Sequence, residues 1–118
     1  MSVLYKHNDE IERVAGSYRP IIYSPQPDWA NAVAITGAQV EAGYTVPSDG
    51  MIVGHGCARS GTGAHFSVNN VNVSSSEYFA NNFVAYGNAQ VPVNKGDIFK
   101  SSALDSSRTD FHFVPWKE

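Results

Sequence analysis

Short strand-like runs separated by turn-forming residues dominate the chain from Trp29 onward, and they constrain the fold more than any other feature. Turn signals recur at intervals of about 8–12 residues, a spacing typical of antiparallel sandwiches and barrels. We therefore predict an all-β domain. Its predicted strands are Ala32–Ile35, Tyr44–Val46, Met51–Arg59, Ala64–Val73, Phe83–Tyr86, Ala89–Val93, Asp97–Ser101 and Asp110–Trp116.

The turns between these strands have recognisable chemistry. In "PSDG", Pro47–Gly50, proline presets φ, Asp49 can bond the local backbone, and glycine tolerates positive φ. A slip in the apolar phase at Asn69-Asn70 predicts a bulge or a tight turn. The only helical candidate is the run Ser76–Asn82. The other predicted turns are Ser60–Gly63, Ser74–Ser76, Gly87-Asn88, Asn94–Gly96 and Asp105–Ser107.

The first 28 residues differ from the rest in composition. Val3–Lys6 and Ile11–Val14 are strand-like and flank a polar turn, which predicts a short hairpin. The run Gly16–Asp28 contains three prolines and is predicted to be an extended arm, because proline removes a ladder donor. We divide the chain into residues 1–28, a hairpin and arm, and residues 29–118, a sandwich domain.

Composition and charge exclude several classes of protein. Hydrophobic residues make up 42% and charged residues 16% of the 118 residues, which argues against disorder. A net charge of −3 removes the electrostatic case for a nucleic-acid partner and gives no reason to expect an anionic membrane surface. The N-terminal residues lack a signal-peptide pattern and no apolar run could span a membrane, so we expect neither export by a cleaved signal nor membrane insertion. The lone cysteine, Cys57, suits folding in a cytoplasm.

Candidate catalytic and metal-binding residues lie in "GHGCARSGTGAH". A strand would place His55 and Cys57 on one face, and a hairpin could bring His65 near them. This spacing matches no usual zinc pattern, and the alternative is a buried thiol beside a polar-face histidine. A phosphate loop fails because Thr62-Gly63 stands where Lys and Ser/Thr are needed. We predict no enzymatic activity, no catalytic residue and no cofactor.

Candidate ligand-binding residues are aromatic or lie on loops. Tyr78, Tyr86 and Trp116, beside turns rich in Asn and Ser, could form a sugar-stacking surface, although such aromatics suit an oligomer interface equally. Arg59 opens the loop Arg59–Gly63, and loops on a rigid scaffold usually present binding residues. A second candidate loop is 74–82.

Two stretches, "GYTVPSDGMIVG" and "VPVNKGDIFK", together resemble the small jelly-roll domains of bacteriophage tail and baseplate appendages. Those domains are similar to the trimeric globular heads of the tumour-necrosis-factor and C1q type. The final "FHFVPW" resembles the closing strand of such heads, and "VLYKHNDEIERVAG" resembles the lead-in of tail accessory proteins from phages of Gram-positive bacteria. The resemblance covers about residues 34–116 and the lead-in.

This resemblance implies an antiparallel jelly-roll-type sandwich and a non-enzymatic virion protein of a phage or prophage tail. It implies a homotrimer, other tail proteins as partners, assembly in the bacterial cytoplasm, and a possible host-surface glycan as ligand. One alternative is a stand-alone carbohydrate-binding module that uses Tyr78, Tyr86 and Trp116. The other is a cupin-like metal enzyme that uses His55, Cys57 and His65.

Overall fold

The structure, a computed structural model, describes residues 11–14, 17–20, 25–78 and 84–118. Within these ranges it contains eleven strands and one α-helix, with 3₁₀ turns at Trp29–Asn31 and Ser106–Arg108. The elements are β1 (Ile11–Val14), β2 (Ser17–Pro20), β3 (Val33–Ile35), α1 (Gly37–Ala42), β4 (Tyr44–Thr45), β5 (Gly50–Gly56), β6 (Thr62–Val68), β7 (Val71–Tyr78), β8 (Val84–Ala85), β9 (Gly87–Val93), β10 (Ile98–Lys100) and β11 (Asp110–Pro115).

Two antiparallel sheets form a sandwich. Sheet I has the strand order β3-β11-β5-β9, and sheet II has the order β4-β10-β6-β7-β8. We set aside β8 and the N-terminal hairpin β1–β2 and number the remaining eight strands 1 to 8 in chain order. Sheet I then has the order 1-8-3-6 and sheet II the order 2-7-4-5. This is the double Greek-key arrangement of a jelly roll. The prediction of an all-β, antiparallel jelly-roll-type sandwich is confirmed.

Three phenylalanine rings form the centre of the core between the sheets. Phe66 and Phe99 come from sheet II and Phe111 from sheet I, and all three are fully buried. The ring centroids lie 5.2 Å apart for Phe66–Phe111, 5.0 Å for Phe99–Phe111 and 6.2 Å for Phe66–Phe99. Burial of one such side chain contributes about 1.5–3 kcal/mol. These rings hold the two sheets together.

Two paired glycines provide the flat surface on which the Phe66 ring packs. Gly56 in β5 lies opposite Gly87 in β9. A Cβ at Gly56 would lie 2.7 Å from Phe66 Cζ, and one at Gly87 would lie 2.8 Å from Phe66 Cε2. Neither position has room for a side chain, because the ring is enclosed on its other sides by core residues. Gly56 and Gly87 therefore serve the packing of the core.

Ser76 supplies a polar link inside the apolar core. Its side chain is 2% exposed, and its hydroxyl accepts from the backbone N–H of Ala58 at 3.0 Å and donates to the Ala85 carbonyl at 2.6 Å. Ser76 lies within β7. The predicted turn at Ser74–Ser76 is therefore wrong. Residues 76–78 of the helical candidate Ser76–Asn82 are also strand, and its residues 79–82 lie outside the described residues.

Helix α1 was not predicted. Thr36 caps it: the Thr36 hydroxyl accepts from Gln39 N–H at 3.1 Å, and Gln39 Oε1 accepts from Thr36 N–H at 2.8 Å. This reciprocal pair is a capping box. Gly43, at φ 99°, ends the helix, and the helix residue Val40 is fully buried.

In the part of the chain that the structure describes, no helix is long and apolar enough to cross a membrane.

The Asn69-Asn70 turn joins β6 to β7. Both residues have positive φ, 49° and 68°, as a two-residue hairpin with the right-handed strand twist requires. The register also shifts between Phe66 and Ser67, which marks a bulge. The sequence left a bulge or a tight Asn-Asn turn open, and the structure contains both.

The N-terminal region differs from its prediction. Ile11–Val14 is a strand, but it pairs with Ser17–Pro20, which was assigned to the extended arm. The predicted partner strand Val3–Lys6 lies outside the described residues. The end of the arm is bonded to the C-terminal segment, since Asp28 N–H donates to Pro115 O at 2.8 Å and Lys117 N–H donates to Gln26 O at 2.7 Å.

The Pro47–Gly50 corner and the turn Asn94–Asp97 lie against each other at one end of the sandwich. Gly96 N–H donates to Val46 O at 2.8 Å, and Val46 N–H donates to Asp97 O at 2.9 Å. Asp49 Oδ1 accepts from Lys95 N–H at 2.8 Å, and Asp49 O accepts from Trp116 N–H at 3.2 Å. Turn residues far apart in sequence therefore form one hydrogen-bonded cluster.

The carboxylate of Asp97 accepts hydrogen bonds from its own turn, Asn94–Asp97, and from the Asn69-Asn70 turn. It accepts from Asn94 N–H at 2.7 Å and from Asn69 Nδ2 at 2.9 Å. The Asn94 backbone hydrogen bond, followed by that from Asn69, lowers the pKa of Asp97. The ionised form of this exposed carboxylate therefore favours the folded state.

We predict that Gly56→Ala lowers the free energy of unfolding by about 1–3 kcal/mol, because the new methyl group would displace the Phe66 and Phe111 rings. Urea denaturation measures this change. Gly63→Ala is the matched control: it lies in β6, and its Cβ would meet only Ser76 O at 3.7 Å. Equal unfolding midpoints for the two variants would contradict the predicted crowding at Gly56.

We predict that acid destabilises the protein partly through Asp97. Because its pKa in the folded chain lies below the unfolded value, its contribution is present above about pH 3.9 and is lost as the pH falls through the folded value. In urea titrations between neutral and acid pH, Asp97→Ala should show a shallower decline than the unmodified chain. Glu77→Gln, on an exposed position of β7, should not flatten the decline. Parallel profiles for the unmodified chain and Asp97→Ala would refute this assignment.

Candidate functional site

The predicted ligand-binding residues fall at two ends of the sandwich. Tyr86 precedes Gly87, which pairs with Gly56 at one end of β5, whereas Trp116 follows Pro115, which pairs with Gly50 at the other end. The seven residues of β5 place these ends roughly 20 Å apart. Trp116 therefore cannot share a ligand-binding surface with Tyr86, as the stand-alone module hypothesis required.

Tyr78 and Tyr86 are brought together by Arg108, which sequence reasoning missed. The Arg108 guanidinium lies 5.4 Å from the centroid of the Tyr78 ring, and its Nη1 donates to the Tyr86 hydroxyl at 3.2 Å. Tyr86 is 44% exposed, and Tyr78 packs partly against the core. The hydrogen bond from Arg108 to Tyr86 is the main reason that the pKa of Arg108 is raised. The sequence offers no local pattern for this cluster.

Asp105 holds Arg108 in this position. Arg108 Nε lies 3.6 Å from Asp105 Oδ2, and Asp105 Oδ1 accepts from both the hydroxyl and the backbone N–H of Ser107 at 2.7 and 3.1 Å. The hydrogen bond from the Ser107 hydroxyl is the largest cause of the lowered pKa of Asp105. The 3₁₀ turn before β11 is thus organised to fix the arginine.

Histidine 55 adds a third ring to this end of the molecule. It lies on β5 with its ring perpendicular to that of Tyr86, at a centroid separation of 5.4 Å. Its strand partners are Asn88 in β9 and Asp110 in β11, so the three residues form one row on the outer face of sheet I. Aromatic, amide, imidazole, carboxylate and guanidinium groups therefore lie close together.

Arg59 has a structural partner rather than a place in this cluster. Its Nη1 lies 3.2 Å from Glu41 Oε1 and 3.2 Å from Leu104 O, and Leu104 N–H donates to the same Glu41 oxygen at 3.1 Å. Glu41 belongs to α1. Arg59 thus connects its own segment with helix α1 and with the segment at Leu104, although more than half of its side chain is exposed.

Trp116 lies between two shallow clefts at the opposite end. One, of about 560 Å³, is lined by Asp28, Asn31 and Lys117 among others, and the second, of about 420 Å³, by Asp49 and Lys95. The Trp116 backbone pairs with Pro27 and Asp49, so the residue joins the arm to the Pro47–Gly50 corner. Its side chain is partly buried, which favours a packing role.

The three candidate metal ligands are not gathered together. His55 makes a perpendicular ring contact with Tyr86 at the outer face of sheet I, Cys57 is fully buried, and His65 is exposed on β6, where its Nδ1 lies 3.0 Å from Ser75 Oγ. Among the described residues, no group of three or more His, Cys, Asp or Glu side chains could hold a metal ion. The metal-enzyme hypothesis therefore has no support from the geometry.

We predict that the Cys57 thiol reacts at least on the order of a hundredfold more slowly in the folded chain than in the urea-unfolded chain, because its exposure is zero and reaction needs local opening. A colorimetric thiol reagent measures both rates. The unfolded chain controls for intrinsic reactivity. Equal rates would show that Cys57 is accessible and would reopen the question of a reactive cysteine.

Comparison with known proteins adds no relative. No family model, no curated protein and no solved structure matches this chain. The function has therefore to be inferred from the described residues, from the jelly-roll strand order and from the turn motifs of the sequence.

Proposed function

We propose that the chain is a non-enzymatic structural subunit of a bacteriophage or prophage tail or baseplate appendage, assembled as a trimer of jelly-roll heads in the host cytoplasm and carried on the virion. The observation that carries this proposal is the strand order, 1-8-3-6 facing 2-7-4-5. The resemblance to trimeric heads implies this order. The fold alone does not specify a function, so the turn motifs add the second line of support.

Those motifs are in contact with one another. The Pro47–Gly50 corner, the Asn94–Asp97 turn and Trp116 after the closing strand share the backbone hydrogen bonds from Gly96 to Val46 and from Trp116 to Asp49. The three stretches of the sandwich domain that carry the resemblance therefore contribute to one structural unit, whereas most of the lead-in lies outside the described residues. Their co-occurrence has a physical reason, because these stretches together close one end of the sandwich.

The edge of sheet I at β3 is the surface that we propose for contact between subunits. Trp29 is 59% exposed and Val33 50% exposed, and no charged residue occurs from Trp29 to Val40. Among the described strands, β3 pairs only with β11, so its other side offers unpaired backbone groups. An uncharged, apolar, open edge of this kind favours association with copies of the same chain.

A stand-alone carbohydrate-binding module is the second candidate function. The observation in its favour is the exposed Tyr86 ring held by Arg108. The two candidates differ in oligomeric state, because a module that acts alone needs no partner copies. Both require a rigid sandwich that presents residues at its end.

We predict that the chain has a solution mass near three times 12.8 kDa, measured by light scattering coupled to size exclusion. Val33→Glu should lower this mass towards that of the monomer, because it places a charge in the proposed contact. Val71→Glu is the matched control: Val71 is 65% exposed and lies in the other sheet, and the trimer should persist. A monomeric unmodified chain would refute the trimer and favour the stand-alone module.

A further inference from the structure

The exposed ring of Tyr86 is held in one orientation. Its hydroxyl accepts from Arg108 Nη1 at 3.2 Å, and its ring is perpendicular to that of His55, with the two ring centroids 5.4 Å apart. Even so, 44% of the residue is open to solvent. The two contacts restrict the orientation of the ring, so little rotamer entropy would be lost if a ligand bound to it.

The partner of Tyr86 is fixed in turn. Arg108 is held by Asp105 at 3.6 Å and by the Tyr78 ring at 5.4 Å. Of the five N–H donors of a guanidinium, these contacts use at most a few. Among the described residues, the guanidinium has partners at Nη1 and Nε. Its Nη2 group can then donate to a ligand hydroxyl beside the exposed tyrosine.

The adjacent row of sheet I supplies groups of complementary character. Asn88, His55 and Asp110 are strand partners on the outer face, and the Asp110 side chain is 65% exposed. An amide offers donors and acceptors, an imidazole offers one of each when neutral, and a carboxylate accepts only. This mixture suits a ligand whose polar groups both donate and accept.

We propose that Tyr86, Arg108, His55, Asn88 and Asp110, called here the Tyr86 site, bind an uncharged saccharide. One face of a sugar ring exposes C–H groups that can stack on the tyrosine, and its hydroxyls both donate and accept hydrogen bonds. The cluster contains two carboxylates, Asp105 and Asp110, against one guanidinium, Arg108, so with neutral histidines its net charge is negative and disfavours a sugar that carries a carboxylate or phosphate. The proposal rests on the carbohydrate-binding function named above as the second candidate and adds the remaining residues of the site and the class of sugar. It does not depend on the virion role, since ligand binding and subunit association are separate properties.

The test uses the full chain on an array that displays neutral oligosaccharides beside the same backbones capped with sialic or uronic acid. We expect binding to neutral members, followed by titration calorimetry with the best of them. Tyr86→Ala should weaken affinity at least about tenfold, because it removes the stacking surface. Tyr86→Phe keeps the ring but loses the Arg108 hydrogen bond, and it should cause a smaller loss. Asn88→Ala, an exposed position, gives a second variant if Tyr86→Ala unfolds.

Two controls separate the site from general effects. Ile98→Ala truncates a residue that is also 44% exposed, but on sheet II, and Trp116→Ala alters the opposite end of the molecule. Neither should change binding. The proposal is overturned by no binding to any saccharide, by binding to acid-capped members alone, by full affinity in Tyr86→Ala, or by equal loss in Ile98→Ala. Light scattering on the same samples reports subunit association independently, so a monomer that binds neutral sugar leaves the Tyr86 site intact.

Discussion

The packing of Phe66 against the paired glycines Gly56 and Gly87 is the contact on which the rest of the structure depends. It allows the backbones of β5 and β9 to approach the Phe66 ring closely, with the rings of Phe99 and Phe111 completing the cluster. A side chain at either glycine would move the sheets apart. Close packing of this kind leaves little slack in the core, so the positions of the loops at both ends follow from it.

The two ends of the sandwich have different chemistry. At one end, backbone hydrogen bonds and the carboxylates of Asp49 and Asp97 join turns from distant parts of the chain. At the other end, Arg108 holds an exposed tyrosine beside an imidazole and a carboxylate. One end is therefore suited to rigidity and the other to recognition. The tail-appendage role that we propose would use both properties: attachment through one part of the subunit and a presented surface on another.

Sequence reasoning found most strands because apolar alternation and turn residues are local properties. It missed α1, although Thr36 and Gln39 have the spacing of a capping box, because the helix is short and is surrounded by strand-like alanine and valine residues. It placed a turn at Ser74–Ser76 because serine is common in turns, whereas the Ser76 hydroxyl bonds to Ala58 and Ala85 inside the core. For the candidate site, the two tyrosines were identified but their connecting Arg108 was not.

The sequence by itself determined the all-β class, the spacing of the strands and the geometry of turns such as Asn69-Asn70, because these depend on residues close together in the chain. Only the tertiary structure decided which side chains meet. Strand pairing set Asn88, His55 and Asp110 in one row, brought Arg108 to Tyr86, and placed Trp116 at the opposite end of β5. Register between distant strands is a collective result of core packing, which no single stretch of the sequence encodes.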